Sequence, residues 1–489
     1  MPLARWFRST RRAHTPRGKA GVALVVAAAS LATLGSLAVA PAGASGGGPA
    51  AGPAAADHAA LLAAMQLVSG NVNDGNTPPG PHGMDAIPGV VARTDIGGVQ
   101  WTGTADNPGS AATRQADGVF RAGSVTKIFT ATVILQLVGE GRLSLTDDVF
   151  GLLGPVLKDN TVRGCNLTTW KCFNPPGPGV APITVEQLLQ HSSGIFNNMA
   201  DLSFQAKVAA QFPNMAFTPA ELVAEGASHG PQAAPGTTMA YSNTNYALLA
   251  LVIESVTGKP WHQALTERVV TPLGLTKTWV PAPTDTVLPG PHDAFVSNLL
   301  FPRNGTSFNT LPASDQNASY GYGGGNVIST TADLITFIKA LIGGQLLPPA
   351  QLQQMITKVN PNTMGTPAPA LPPGITCNTG LAWPECIPNP AKFNVTSNAN
   401  APTNWYAYEP WNQGVANYSL GLTQRELTCS NGQKVTLYGH NGAIPGSMSY
   451  VYTTPDASHS IAFNLNADWP QHELYDMYGI LAAEYCPAA

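Results

Sequence analysis

Apolar residues recur along this chain at two different periods, and the change of period divides it. Asp57 to Val68 (DHAALLAAMQLV) carries them at helical spacing. Val90 to Thr94 and Val99 to Thr104 alternate instead, and Asp95-Ile96-Gly97-Gly98 between them supplies turn residues, so this pair predicts a β-hairpin. Alternation returns near the other end, in Val435 to His440, Met448 to Tyr452 and Ile461 to Asn466, with turns predicted at Ala443 to Ser447 and Thr454 to His459. A helical pattern over Glu473 to Tyr485 follows. Two strands from the start and three from the end predict an α+β fold: a five-stranded antiparallel sheet with the first and last helices on one face.

The middle of the chain reads as helical. Thr184-x-x-Gln187 and Thr218-Pro219-x-Glu221 are capping signatures before Val185 to Gln190 and Ala220 to Glu225. Leu249, Val252, Ile253 and Val256 keep helical spacing up to Gly258, and Leu334 to Leu341 ends at Gly343-Gly344. Residues 154–182 and 360–414 fit no element and read as insertions rich in Pro and Asn. The expected organisation is a sheet part over 57–110 and 415–487 and a helical part over 111–359, together one catalytic domain, 57–487.

Composition narrows the function classes. Charged residues are 11% of 489 and the net charge is −4, which excludes the clustered basic footprint of a nucleic-acid binder. Residues 1–44 open with Arg5, Arg8, Arg11, Arg12, Arg17 and Lys19, continue through an uncharged run from Gly21 to Ala40 and reach Ala42-Gly43-Ala44. That order predicts a secretory signal ending at Ala44, and 45–56 reads as a flexible leader. The expectation is a secreted, extracellular or cell-wall protein without stable membrane insertion. In such a compartment six cysteines imply disulfides. Cys165 with Cys172 and Cys377 with Cys386 are close neighbours that would staple loops, which leaves Cys429 with Cys486. No C-x-x-C or H-E-x-x-H occurs, so no metal or cofactor is expected.

Three short motifs carry candidate chemistry, each occurring once. Gly123-Ser124-Val125-Thr126-Lys127 opens an apolar helix carrying Val125, Ile128, Phe129, Val133, Leu135 and Val138. Ser124 falls on the first turn, where unpaired backbone N–H groups favour negative charge, and Lys127 lies three residues on, on the same face. A hydroxyl needs a base to become a nucleophile, and an amine in a partly apolar wall can serve because desolvation disfavours its charged form. Tyr241-Ser242-Asn243 precedes the helix through Leu249 and offers a phenol to relay a proton and an amide to hold a carbonyl. His440-Asn441-Gly442 ends the third predicted strand, where Gly439 and Gly442 suggest close approach of another backbone. The bland readings are an N-cap serine, a buried tyrosine and a bend at a strand end. A rival signature, Gly226-Ala227-Ser228-His229-Gly230, matches a nucleophile elbow but lacks the strand before it and the helix after it.

Taken in order, the three motifs resemble those of the serine β-lactamase and penicillin-binding D-alanyl-D-alanine carboxypeptidase family, in the variant with Tyr-Ser-Asn and His-x-Gly. The similarity extends through Phe120 to Gly123, Ile183 to Gly194 (ITVEQLLQHSSG), Tyr241 to Tyr246, Pro272 to Leu275 and Ser329 to Leu334. It implies a β-lactamase/DD-peptidase-like fold with an inserted helical subdomain. It also implies a bridge between Cys429 and Cys486, as in the secreted carboxypeptidases. The implied catalytic set is Ser124, Lys127, Tyr241, Asn243 and His440, with the backbone N–H groups of Ser124 and Ala443 holding an oxyanion. Thr423, Asn441, Gly442 and Arg425 are the implied substrate contacts. Thr423, Asn441 and Ala443 stand where the family's carboxypeptidases place an arginine and two hydroxyls; Arg425, two positions on from Thr423, is expected to substitute for that arginine. The implied function is a monomeric hydrolase acting through an acyl-enzyme on peptidoglycan peptides. A β-lactamase, an esterase or D-amino-acid peptidase, and a non-hydrolytic β-lactam sensor are the alternatives.

Overall fold

A computed structural model of the chain describes residues 58–70, 87–108, 113–157, 161–162, 165–166, 182–297, 311–360, 417–429, 431–468 and 473–486. The central sheet is antiparallel and has seven strands: β1 Gly89–Ile96, β2 Val99–Asp106, β3 Asn417–Tyr418, β4 Thr423–Thr428, β5 Lys434–Ile444, β6 Ser447–Thr453 and β7 His459–Leu465. Their order is β2-β1-β7-β6-β5-β4-β3. The first hairpin therefore pairs with the last strand, Val90 opposite Leu465 and Ile96 opposite His459, and the helical region is inserted between.

Two features differ from the five-strand expectation. Strands β3 and β4 extend the sheet beyond β5. In β4, Thr423, Arg425 and Leu427 are the buried positions, so a cation occupies the central inward position and hides the alternation. Strand β5 also runs on to Ile444, leaving Pro445-Gly446 as the turn. The glycines at 439 and 442 weaken the strand signal in the sequence, while their lack of a side chain is what the tertiary contacts require.

Helices cover both faces. On one, α1 Ala59–Val68 and α11 Glu473–Tyr485 pack together over the sheet. Leu61, Met65, Tyr478 and Leu481 meet Tyr450, Tyr452 and Phe463 there. On the other face lie α2 Thr126–Gly139, α3 Val149–Leu157, α4 Val185–Leu189, α5 Leu202–Gln211, α6 Pro219–Ala227, α7 Asn243–Thr257, α8 Trp261–Leu265, α9 Thr331–Ile342 and α10 Pro349–Thr357. Both predicted capping boxes form, at Thr184 with Gln187 and at Thr218 with Glu221. Gly258, in the left-handed region that lacks a penalty only for glycine, ends α7. Helix α2 is buried nearly all round. Each large apolar side chain it buries, such as Ile128, Phe129 and Leu135, stabilises the fold by roughly 1.5–3 kcal/mol, so its N-terminus is a rigid mount.

The sulfurs of Cys429, beyond β4, and Cys486, beyond α11, stand at bonding distance, 2.01 Å. Cys165 contributes backbone to a two-residue pairing; Cys172, Cys377 and Cys386 lie outside the described residues. Among the described residues no helix is long and apolar enough to cross a membrane.

Candidate active site

Ser124 lies in a 3-10 turn, Gly123–Val125, that leads directly into α2. Gly123 has φ +52°, and a Cβ there would stand 2.7 Å from the backbone nitrogen of Ala443. A Cβ on Gly442 would stand 2.1 Å from the Ala122 carbonyl oxygen and 2.6 Å from the Ser124 nitrogen. Two glycines thus let the β5 backbone lie directly on the turn, which brings the N–H groups of Ser124 and Ala443 into one neighbourhood. The pairing of β4 with β5 stops at Gly439, so residues 440–444 carry β6 on one side and the serine turn on the other.

Lys127, fully buried in the first turn of α2, is where three elements converge. Its Nζ lies 2.9 Å from Ser124 Oγ, 2.8 Å from Asn243 Oδ1 and 2.9 Å from the Gly324 carbonyl. As an ammonium it donates to all three. As a neutral amine it donates to the amide and the carbonyl and keeps a lone pair for the serine proton, so the same geometry serves both states. The nitrogen also sits 4.8 Å from the centre of the Tyr241 ring and 5.3 Å from that of Tyr246, within cation–π range. Asn243 is held in turn by Asn197, whose Oδ1 accepts from the Asn243 backbone at 3.1 Å and side chain at 3.2 Å.

Behind Tyr241 stands His191, with φ +57° and a fully buried ring. The ring packs 4.2 Å from Tyr241 and 4.8 Å from Tyr418, centroid to centroid. Its Nδ1 accepts the Ser242 N–H at 3.1 Å, which anchors the Tyr-Ser-Asn segment. Burial, then the neighbouring Lys127 and His440, hold the His191 pKa well below its ordinary value.

His440 is tied to this group through Tyr418, whose hydroxyl lies 3.1 Å from Nε2, while Nδ1 meets the Asn441 carbonyl. A proton on Nδ1 satisfies both contacts. Burial, then Lys127, push its pKa down to about 3, so it is neutral at ordinary pH.

Alternation along β5 sends the other predicted contacts elsewhere. Asn441 faces Tyr450 across the ladder and Gly439 faces Tyr452, both tyrosines belonging to the α1/α11 side. Arg425 shares that side: Nε donates to Tyr452 at 2.7 Å, one terminal nitrogen to Tyr478 of α11 at 3.0 Å, and the other to Asn441 Oδ1 at 3.4 Å. Thr423 Oγ1 donates to the Gly439 carbonyl at 2.6 Å. Arg425 and Asn441, expected to meet a substrate, thus lie on this side: Thr423 and Arg425 do share a face, and it is the face turned toward α11. Ser124, Lys127, Tyr241, Asn243 and, through Tyr418, His440 are brought together. Sequence reading missed Asn197, His191, Tyr418 and the Gly324 carbonyl. His191 stands inside ITVEQLLQHSSG, and the run Gly323-Gly324-Gly325 is the one local sign of a close backbone approach.

A buried amine bonded to a helix-start hydroxyl, backed by a phenol and an amide, on a sheet sandwiched between two helical layers, defines a serine hydrolase. The chain belongs to the beta-lactamase family, whose sequence model matches residues 81–484. It is 32% identical to penicillin-binding protein 4 of Amycolatopsis lactamdurans over 161 residues, 32% of this chain and 35% of that protein. It is 27% identical to the putative penicillin-binding protein PbpX of Bacillus subtilis over 246 residues, 50% of this chain and 52% of that protein. The chain thus spans about a third to a half of the length of these curated relatives. Among solved structures, a D-stereospecific amidohydrolase from a Streptomyces species is 33% identical, with a TM-score of 0.64 over 89% of this chain and 100% of that one. The D-amino acid amidase of Ochrobactrum anthropi, 20% identical with a TM-score of 0.58 over 87% of this chain and 96% of that one, shares the fold.

Proposed function

We propose that the chain hydrolyses amide or ester bonds of D-configured amino-acid substrates with an uncharged leaving end, through an acyl-enzyme on Ser124. In this mechanism Ser124 Oγ attacks the carbonyl carbon and its proton passes to neutral Lys127 or to the Tyr241 oxygen. The tetrahedral oxyanion rests on the N–H groups of Ser124 and Ala443, each such donor being worth about 3–4 kcal/mol. The leaving amine or alcohol takes the proton as the C–N or C–O bond breaks. Water then cleaves the ester by the same route in reverse. Asn243 holds Lys127 in place, and Gly442 lets β5 lie against the serine turn so that the Ala443 N–H is held near Ser124.

The observation that carries the choice of substrate is the placement of Arg425. Its guanidinium is engaged by Tyr452, Tyr478 and Asn441 on the α11 side, and His440 is neutral, so the stretch of β4 and β5 beside Ser124 turns no cation toward a substrate carboxylate. A similarity to a D-stereospecific amidohydrolase that covers that protein's whole chain agrees with this reading. The sequence-based order, with D-alanyl-D-alanine carboxypeptidase first, is the second reading; it is favoured by the likeness to the carboxypeptidase/endopeptidase AmpH of Escherichia coli, 25% identical over 304 residues. Export by the N-terminal segment remains part of the proposal.

Turnover of two peptides that differ only at the C-terminus, D-Ala-D-Ala carboxylate and D-Ala-D-Ala amide, tests the choice. The amide should be preferred at least about tenfold in kcat/KM, a difference of about 1.4 kcal/mol, and the L-isomer should fail. Preference for the carboxylate would return the carboxypeptidase reading. Intact-mass spectrometry with penicillin separates the remaining alternatives: rapid turnover marks a β-lactamase, and a lasting adduct with no hydrolysis of any substrate marks a sensor.

A further inference from the structure

Away from the serine, one group of side chains has the chemistry of a metal ligand set. Asp201 ends the short 3-10 turn Asn198–Ala200 and caps α5. Glu225 lies on the last turns of α6, and His229 just beyond that helix. One ligating atom from each lies within 4.8 Å of the other two. Asp201 Oδ1 is committed to the cap, accepting from Phe204 N at 3.0 Å, whereas Oδ2 points to His229 Nε2.

Glu225 is what an ion-pair account leaves unexplained. Its side chain is only 11% exposed. Oε2 takes Lys207 Nζ at 3.0 Å, but Oε1 is buried with no hydrogen-bond partner among the described residues. A buried acceptor left unsatisfied costs about 1–3 kcal/mol, more when charged. Lys207, half-exposed, pairs with Glu225 alone, and Asp201 pairs with His229, so the inner oxygen of Glu225 has no cation of its own among the described residues.

We infer that Asp201, Glu225 and His229 bind a divalent transition ion of the zinc type. An imidazole and two carboxylates with a fourth position open to water suit zinc. Calcium, which takes six to eight oxygens, is poorly matched. A tetrahedral ion with bonds of about 2.0–2.1 Å holds its ligands about 3.3 Å apart, so the Asp201–His229 pair, now in direct contact, would open to admit it while the Glu225 oxygen draws in. The site has a structural consequence. The His229 ring stacks on Phe196 at 3.9 Å. The Phe196 carbonyl accepts from Ser242 at 3.1 Å and Thr244 at 2.8 Å, and Asn197, next in sequence, holds Asn243. An ion here ties α5 and α6 to the turn that positions the catalytic amide. No motif in the sequence announces it, because Asp201 is remote from the other two ligands.

The test uses the full chain, stripped with chelator and titrated with Zn²⁺ against a chromophoric competitor, with Co²⁺ as a spectroscopic substitute. One ion per chain is expected, with visible Co²⁺ absorption and a higher Tm with Zn²⁺ than without. His229→Gln and Glu225→Gln should each weaken binding at least about tenfold, since even outer-shell changes cost that much, and each should abolish the Tm increase. No stoichiometric uptake, or uptake that both variants retain, would overturn the assignment. The partly exposed His229 is the variant least able to disturb folding, and Glu225→Gln checks it independently.

Discussion

Two cations are buried on opposite sides of β5, and they are buried differently. Lys127 meets a hydroxyl, an amide oxygen and a carbonyl. Arg425 meets two phenols and an amide oxygen. Around Lys127 the hydrogen bond to Ser124 can be reversed, because an amine can lose its proton and the serine can donate one. Around Arg425 it cannot, because a guanidinium stays charged in proteins. Similar burial therefore yields a reactive cluster on one side and a clasp joining sheet to helix on the other. Burial of a cation is no sign of function until its partners' capacity to exchange protons is known.

The sharpest way to break this contrast is to remove each centre. Ser124→Ala and Lys127→Ala should each lower kcat by about 10⁴-fold or more, and the double variant should lose scarcely more activity than either, as for groups acting as a unit. Ser124→Ala should change unfolding free energy little, whereas Lys127→Ala, which removes the donor to Asn243 Oδ1 and the Gly324 carbonyl, should also cost about 1–3 kcal/mol for each. Steady-state kinetics with urea unfolding measures both sides. Gly442→Ala should come next: its Cβ clashes with the serine turn, and displacing the Ala443 N–H should cost about 10²–10³-fold in kcat, as loss of one oxyanion donor does. A smaller change in KM should accompany it.

Arg425→Ala should invert the pattern. It removes the buried charged donor shared by Tyr452, Tyr478 and Asn441, each bond to a charged group being worth about 1.5–3 kcal/mol, so urea unfolding should show a loss of at least about 3 kcal/mol. KM of the folded protein should be unchanged; a raised KM confined to carboxylate substrates would instead place Arg425 at the substrate.

A further effect concerns pH. His440 is neutral when folded, with its pKa pushed down to about 3, against about 6.5 when unfolded. The unfolded chain therefore binds the extra proton between those values. The contribution is fully present above about pH 6.5 and is lost as pH falls toward 3, at up to about 1.4 kcal/mol per pH unit. His440→Asn should flatten the wild-type decline in that window, and an unaltered slope would show that the imidazole is not buried neutral.

Much of this was legible beforehand. The alternation in β1, β2, β5, β6 and β7 is read directly from side-chain period, and so is the pairing of chain start with chain end. Strand β4 was not, because Arg425 holds the position where an apolar residue would have completed the pattern. Ser124, Lys127, Tyr241, Asn243 and His440 announce themselves as spaced motifs. The Gly324 carbonyl cannot, since a backbone acceptor has no letter of its own. His191 and Asn197 act on other side chains and not on a substrate, and only folding reveals whom they touch. Sequence spacing also puts Thr423 and Arg425 on one face correctly, but which face looks toward the serine is decided by α11, far along the chain.

Because Val90 lies beside Leu465, the sheet is assembled from segments that stand far apart along the polypeptide. Contacts of such long sequence separation form slowly, since loop closure must precede any gain from them. A ribosome-bound or prematurely terminated chain can hold Ser124 and Lys127 on their helix, yet it lacks the strand that lies against them. Hydrolysis at Ser124 is therefore expected only once residues 434–444 have been made and laid against the serine turn.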